Sequence, residues 1–239
     1  VRLGIVLVAL SVALYWLHYA LFHDAHHVFI YLVGDVAFVP IEVLLVTLII
    51  HQILAKRERR SRLEKLNMVI GVFFSELGTH LLTVLSDADP GLEDIRSELV
   101  VDAGWTREDY HRVRPLLLRR KYAIDLDRID LGLLRGYLAD RRDFLVRLLE
   151  NPTLLEHESF TELLRAVFHL TEELGNRRDL SALPDSDRQH IRGDIVRAYS
   201  LIVGRWLDYM RHLKDDYPYL FSLAMRTNPF DETASAVVT

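Results

Sequence analysis

The sequence predicts an all-α protein made of three parts: a two-helix transmembrane hairpin, a long helix continuing from the second span into the cytoplasm, and a cytoplasmic helical bundle. Three observations carry this. Two apolar runs near the N-terminus are each long enough for a helix to cross about 30 Å of hydrocarbon, which takes about 20 residues. A burst of Lys and Arg follows the second run without a break. Beyond it, apolar residues return at three- and four-residue steps, and no segment alternates as a strand does. The expected domains are residues 1–54 as the hairpin, 55–86 as a basic juxtamembrane segment and stalk, and 87–239 as the bundle.

The first span covers residues 3–22, interrupted only by Ser11 and His18, with Arg2 as the sole charge ahead of it. A secretory signal peptide shares a short charged start and an apolar core. The run is long, however, Tyr15, Trp16 and Tyr19 form an interfacial aromatic belt, and no A-x-A site closes it. A polar connection, His23 to His27, leads to the second span at residues 28–54. After it come Lys56, Arg57, Arg59, Arg60, Arg62 and Lys65, with only Glu58 and Glu64 as opposing charges. Lys/Arg clusters stay on the cytoplasmic side, so the expected placement is a multi-pass protein of a plasma or bacterial inner membrane with both termini cytoplasmic.

The second span is expected to continue as one helix. Glu58 with Arg62, and Arg60 with Glu64, are i,i+4 pairs that support a helix in water, and neither Gly nor Pro occurs between Pro40 and Gly71. Leu63, Leu66, Ile70, Phe73, Leu77, Leu81 and Val84 mark one face. Gly71, Ser75, Gly78 and Leu82 form a mostly small stripe where another backbone can approach, the candidate assembly interface. A helix from residue 28 to 86 would be about 90 Å long at 1.5 Å per residue.

Asp87 to Gly91 break that helix. A short helix is expected from Leu92 to Val101, and another begins at Thr106, whose spacing to Asp109 resembles a capping box, and runs to Lys121 through Pro115. Residues 122–129 read as a linker. From Asp130, the positions Leu134, Tyr137, Leu138, Leu145, Leu148 and Leu149 mark a single helix ended by Asn151-Pro152. Glu158 to Leu174 follows, stopped by Gly175. Ile191, Ile195, Tyr199, Ile202, Trp206, Met210 and Leu213 hold the helical period for six turns, Pro218 interrupts it, and the chain is expected to be loose from Asn228.

Among candidate functional residues, Asp35 and Glu42 stand out, seven residues apart on one face of the second span with Pro40 between them. A carboxylate within a span costs a few kcal/mol or more and faces a partner, a bundle interior or water. Within one subunit, the hairpin places His18 beside Asp35 and Ser11 beside Glu42. In a homo-oligomer with the second helix innermost, Asp35 and Glu42 would instead form two acidic rings that select cations. His18, His23, Asp24, His26 and His27 read first as a solvated interfacial loop; their imidazole and carboxylate donors offer as alternatives a weak metal site or a pH-sensitive outer mouth. Their spacing matches no closed structural site.

The bundle contributes the helically spaced pairs Glu76 with His80, His169 with Glu172, His190 with Asp194, and His212 with Asp215. Di-iron bundles use Glu-x-x-His order with further glutamates, so these pairs call for no metal, and no cofactor is predicted. The chain has no cysteine, hence no thiolate chemistry, and no phosphate-loop, dinucleotide, zincin or hydrolase motif. A net charge of -5 without a broad basic face speaks against nucleic acid. The partners expected are the lipid bilayer, further copies of the chain, cations and a cytoplasmic protein. Three functions follow in order: an oligomeric cation pathway, a non-conducting membrane scaffold or signalling adaptor, and a membrane-tethered enzyme.

Overall fold

The structure, a computed structural model, describes residues 2–155 and 157–237. Every regular element among them is helical and none is a strand. The chain divides into two compact units, Val1–Ser61 and Arg62–Thr239.

The first unit is a helical hairpin. Helix α1 (Arg2–Phe22) and the N-terminal part of α2 (Ala25–Phe73) are joined by His23 and Asp24 alone. His23 takes the left-handed conformation, φ 52°, and the Asp24 carboxylate accepts a hydrogen bond from the His27 N–H at 3.1 Å. That cap starts α2 early, so His26 and His27 belong to its first turn and the connection is shorter than the five residues expected. Helix α2 continues through Pro40, whose missing N–H leaves the Val36 carbonyl without its usual donor. Large apolar side chains from Ile5 to Leu54 stand exposed along both helices.

The second unit has a closed core. After α2, one π-helical turn (Phe74–Gly78) precedes α3 (Thr79–Asp87). Then come α4 (Glu93–Arg96), α5 (Arg107–Arg119), a 3-10 turn (Leu126–Arg128), α6 (Leu131–Ala139), α7 (Arg142–Leu149) and α8 (Pro152–Leu155). Two long helices, α9 (Glu158–Gly175) and α10 (Asp185–Asp216), and the short α11 (Pro218–Arg226) complete it. Helix α10 packs against α9, α5, α3 and α11, while α9 also meets α6, α7 and α8. Phe73, Phe74, Leu77 and Leu81 enter this core, with Phe73 edge-on to Phe160 at 5.5 Å and Phe74 stacked on Tyr209 at 4.8 Å. The expected face of Leu66, Phe73, Leu77 and Leu81 is buried, but Leu63 is exposed.

Four expectations need correction. The π turn interrupts the supposed continuous α-helix where two adjacent phenylalanines must both be buried. A Cβ on Gly78 would come within 2.7 Å of Phe73 and 2.8 Å of Phe74, so only glycine fits there. Helix α4 covers one turn, not Leu92 to Val101. The single helix expected from Asp130 to Asn151 splits between α6 and α7, because Arg141 turns aside to donate through Nε to the Glu76 carbonyl at 2.8 Å. The tail is not loose at Asn228. Phe230 is fully buried, edge-on to Trp206 at 4.9 Å, and the Asn228 amide donates to the Leu99 carbonyl at 3.0 Å.

Candidate functional site

In the hairpin, the Asp35 carboxylate is held within its own subunit. The Tyr15 hydroxyl donates to Asp35 Oδ2 at 2.7 Å, and Tyr15, Ser11, His18 and Asp35 line one cleft. The expected partner, His18, lies one turn away. Its Nε2 is shielded and makes no hydrogen bond, and its ring lies parallel to that of His27 at 6.3 Å. The two-residue turn shifts the register of the helices by about one turn, which brings Tyr15 opposite Asp35. The same shift separates Ser11 from Glu42. No hydrogen bond or ion pair joins that pair among the described residues.

The loop histidines do not assemble a ligand set. His27 meets Tyr31 edge-on at 4.9 Å and His23 tilts against Tyr19 at 6.2 Å, each in its own ring contact. Among the described residues, the group of three potential ligands that does converge is His169, Glu173 and His190. The small stripe is also split. Gly78 is buried under the Phe73 and Phe74 rings, and a Cβ added at Gly71 would lie 3.7 Å from Tyr209 of its own unit. Ser75 alone is exposed, so the candidate interface of Gly71, Ser75 and Gly78 is largely spent on packing within one chain.

The chemistry of the second unit concentrates between α9 and α10. Residue 173 lies opposite 190, and residue 169 opposite 194, so the two helices run antiparallel. His190 Nε2 is 3.4 Å from Glu173 Oε2 and 3.3 Å from Asp194 Oδ2. His169 Nε2 is 3.5 Å from Asp194 Oδ2 and 3.8 Å from Glu173 Oε1. The histidines are half exposed, whereas Asp194 is 7% exposed and its Oδ2 accepts no hydrogen bond. Arg177 closes one side: Nη1 lies 2.7 Å from Glu173 Oε2, and Nε and Nη2 grip Asp187 at 2.8 and 2.5 Å. The guanidinium holds the Glu173 and Asp187 carboxyls below the usual carboxylate range.

Two of the four residues were visible in the sequence as His190 with Asp194. His169 was visible too, but paired with Glu172. Glu172 in fact turns away to accept from Arg142 Nε at 2.7 Å, and its neighbour Glu173 takes the inward position. Of the remaining pairs, His212 Nδ1 meets Asp216 at 2.8 Å, Asp215 lies 3.6 Å from Arg107, and His80 packs on the Tyr137 ring at 4.4 Å.

Comparison with known proteins divides the chain in a similar way. Residues 62–226 match a family model described as the C-terminal helical domain of uncharacterized protein MJ1433. Residues 1–54 match a model described as the N-terminal helical domain of MJ1433. The chain is 48% identical over 229 residues to uncharacterized protein MJ1433 of Methanocaldococcus jannaschii, covering 96% of this chain and 92% of that protein. No solved structure matches it.

Proposed function

The chain belongs to the MJ1433 family, with its N- and C-terminal helical domains, and from that premise we propose that it is a non-conducting membrane-anchored scaffold. Residues 1–54 hold it in a bilayer, and the domain from Arg62 onward is the part offered to a cytoplasmic partner. One observation carries the choice of an anchor over a pore: the Tyr15 hydroxyl satisfies Asp35 inside a single hairpin. A carboxylate that finds a donor within its own hairpin needs no shared axis to offset its cost in the span, which supports an anchor over an acidic ring.

The membrane placement rests on chemistry. Both helices are long and apolar enough to cross a bilayer, and their apolar windows are wholly unburied. Exposed apolar surface on this scale marks a site of interaction with membrane or protein. The Lys and Arg residues after Leu54 orient the second span with its end inward. Apart from the Val36 carbonyl opposite Pro40, helices of this kind satisfy their backbone polar groups with their own hydrogen bonds, as a spanning segment must.

One observation favours a second reading. Glu42 stands exposed in the apolar run with no partner among the described residues. In a homo-oligomer it would supply a single acidic ring for cations, with Leu45, Val46 and Ile49 as an apolar constriction below it.

Reconstitution of the full chain into liposomes separates the readings. The anchor reading predicts that the protein floats with the vesicles and adds no cation flux above that of empty ones. Flux that Glu42→Gln abolishes would transfer the assignment to the pathway, and protein that fails to float would contradict both.

A further inference from the structure

We propose that His169, Glu173, His190 and Asp194 bind one divalent transition-metal ion of the zinc type, pinning α9 to α10. This is independent of the membrane reading, since all four residues lie within the second unit.

Zinc binds imidazole nitrogen and carboxylate oxygen at about 2.0–2.2 Å, so the edges of a tetrahedron of such ligands are about 3.3–3.6 Å. Asp194 Oδ2 lies 3.3 Å from His190 Nε2 and 3.5 Å from His169 Nε2, and Glu173 Oε1 lies 3.8 Å from His169 Nε2. These are too long for good hydrogen bonds, which end near 3.2 Å; the two at Asp194 match the edges around a shared ion, and the Glu173 carboxylate needs only a small shift to join them.

Asp194 also calls for a cation. Its carboxylate is buried, its Oδ2 accepts no hydrogen bond, and two imidazole nitrogens converge on that same atom. A buried carboxylate oxygen without a donor is costly. A cation bound between it and the imidazoles removes that cost, and two carboxylates neutralise a divalent ion.

Glu173 can present Oε1 to the ion while Arg177 retains Oε2 at 2.7 Å, the kind of outer contact that orients a ligating carboxylate. Arg177 is itself fixed by Asp187. Two imidazoles favour zinc, iron, nickel or copper over magnesium and calcium, which prefer oxygen ligands in greater number.

The test is titration of the EDTA-stripped full chain with Co²⁺, followed by visible absorption. The expected result is one equivalent bound with the intense d–d band of a four-coordinate ion, displaced by Zn²⁺ and not by Mg²⁺. Asp194→Asn, which keeps the side-chain shape, should lose the band and the Zn²⁺-dependent rise in melting temperature. Should that variant not fold, His169→Gln at a half-exposed position makes the same demand. Replacing His23, His26 and His27 with Gln should leave the band in place. No band at one equivalent, a band that survives Asp194→Asn or His169→Gln, or a band lost with the loop histidines would each overturn the proposal.

Discussion

Asp89 shows how much a single side chain can carry in this fold. Its side chain is 1% exposed and its Oδ2 lies 2.7 Å from Nη2 of Arg120, itself 12% exposed. Asp89 Oδ1 also accepts the Gly91 N–H at 3.0 Å. Arg120 lies over the Tyr122 ring at 5.6 Å, and burial pushes the Tyr122 phenol up to about 12. Breaking a buried pair by removing one partner leaves the other charge unpaired, so Asp89→Ala should cost about 3–5 kcal/mol in denaturant unfolding of the full chain. Gly78→Ala forces a methyl against two fully buried rings, and about 1–3 kcal/mol is expected, the usual cost of overpacking. A control at Gly136, where nothing lies within 4 Å of an added Cβ, should be neutral or better. The sequence marked Asp87 to Gly91 only as a helix break, because the partner of Asp89 comes from α5's far end, 31 residues on.

Local signals and tertiary demands divide the elements between them. The start of α5 was legible: Asp109 Oδ2 accepts from the Thr106 N–H at 2.7 Å and from its hydroxyl at 2.8 Å, as their spacing implied. Those bonds hold the Asp109 carboxyl below the usual carboxylate range. A depressed pKa contributes stability that is complete above the unfolded value and is lost as pH falls through the lower folded value. Acid titration of wild type against Asp109→Asn, followed by helical circular dichroism, should therefore show the variant lacking that acid-side contribution; identical profiles would contradict it. The π turn was not legible, since it arises from elements distant in sequence. Tyr137 donates its hydroxyl to the Leu77 carbonyl at 3.1 Å, and Arg141 caps the Glu76 carbonyl, so α6 and the turn that follows it supply what the π turn lacks. Arg141 also lies 3.8 Å over the Tyr137 ring. The four-residue cluster failed to show for a related reason. Each helix displayed a histidine and carboxylates at plausible spacing, but the choice of Glu173 over Glu172, and the register of α9 on α10, are set by packing across the Asn176 to Pro184 connection.

On the scale of the whole molecule, the hairpin near the N-terminus follows from the length of two apolar runs, and the helical class and the long helices of the second unit follow from periodicity. The hairpin register does not: a connection two residues long instead of five replaced His18 by Tyr15 as the partner of Asp35. That change of partner is what favours the proposed anchor over the proposed pathway. The central claim is that residues 1–54 insert into a bilayer, and extraction of membranes with alkaline carbonate from cells producing the full chain tests it most directly. The account predicts that the protein stays in the membrane pellet and is released by detergent; recovery in the carbonate supernatant would contradict it.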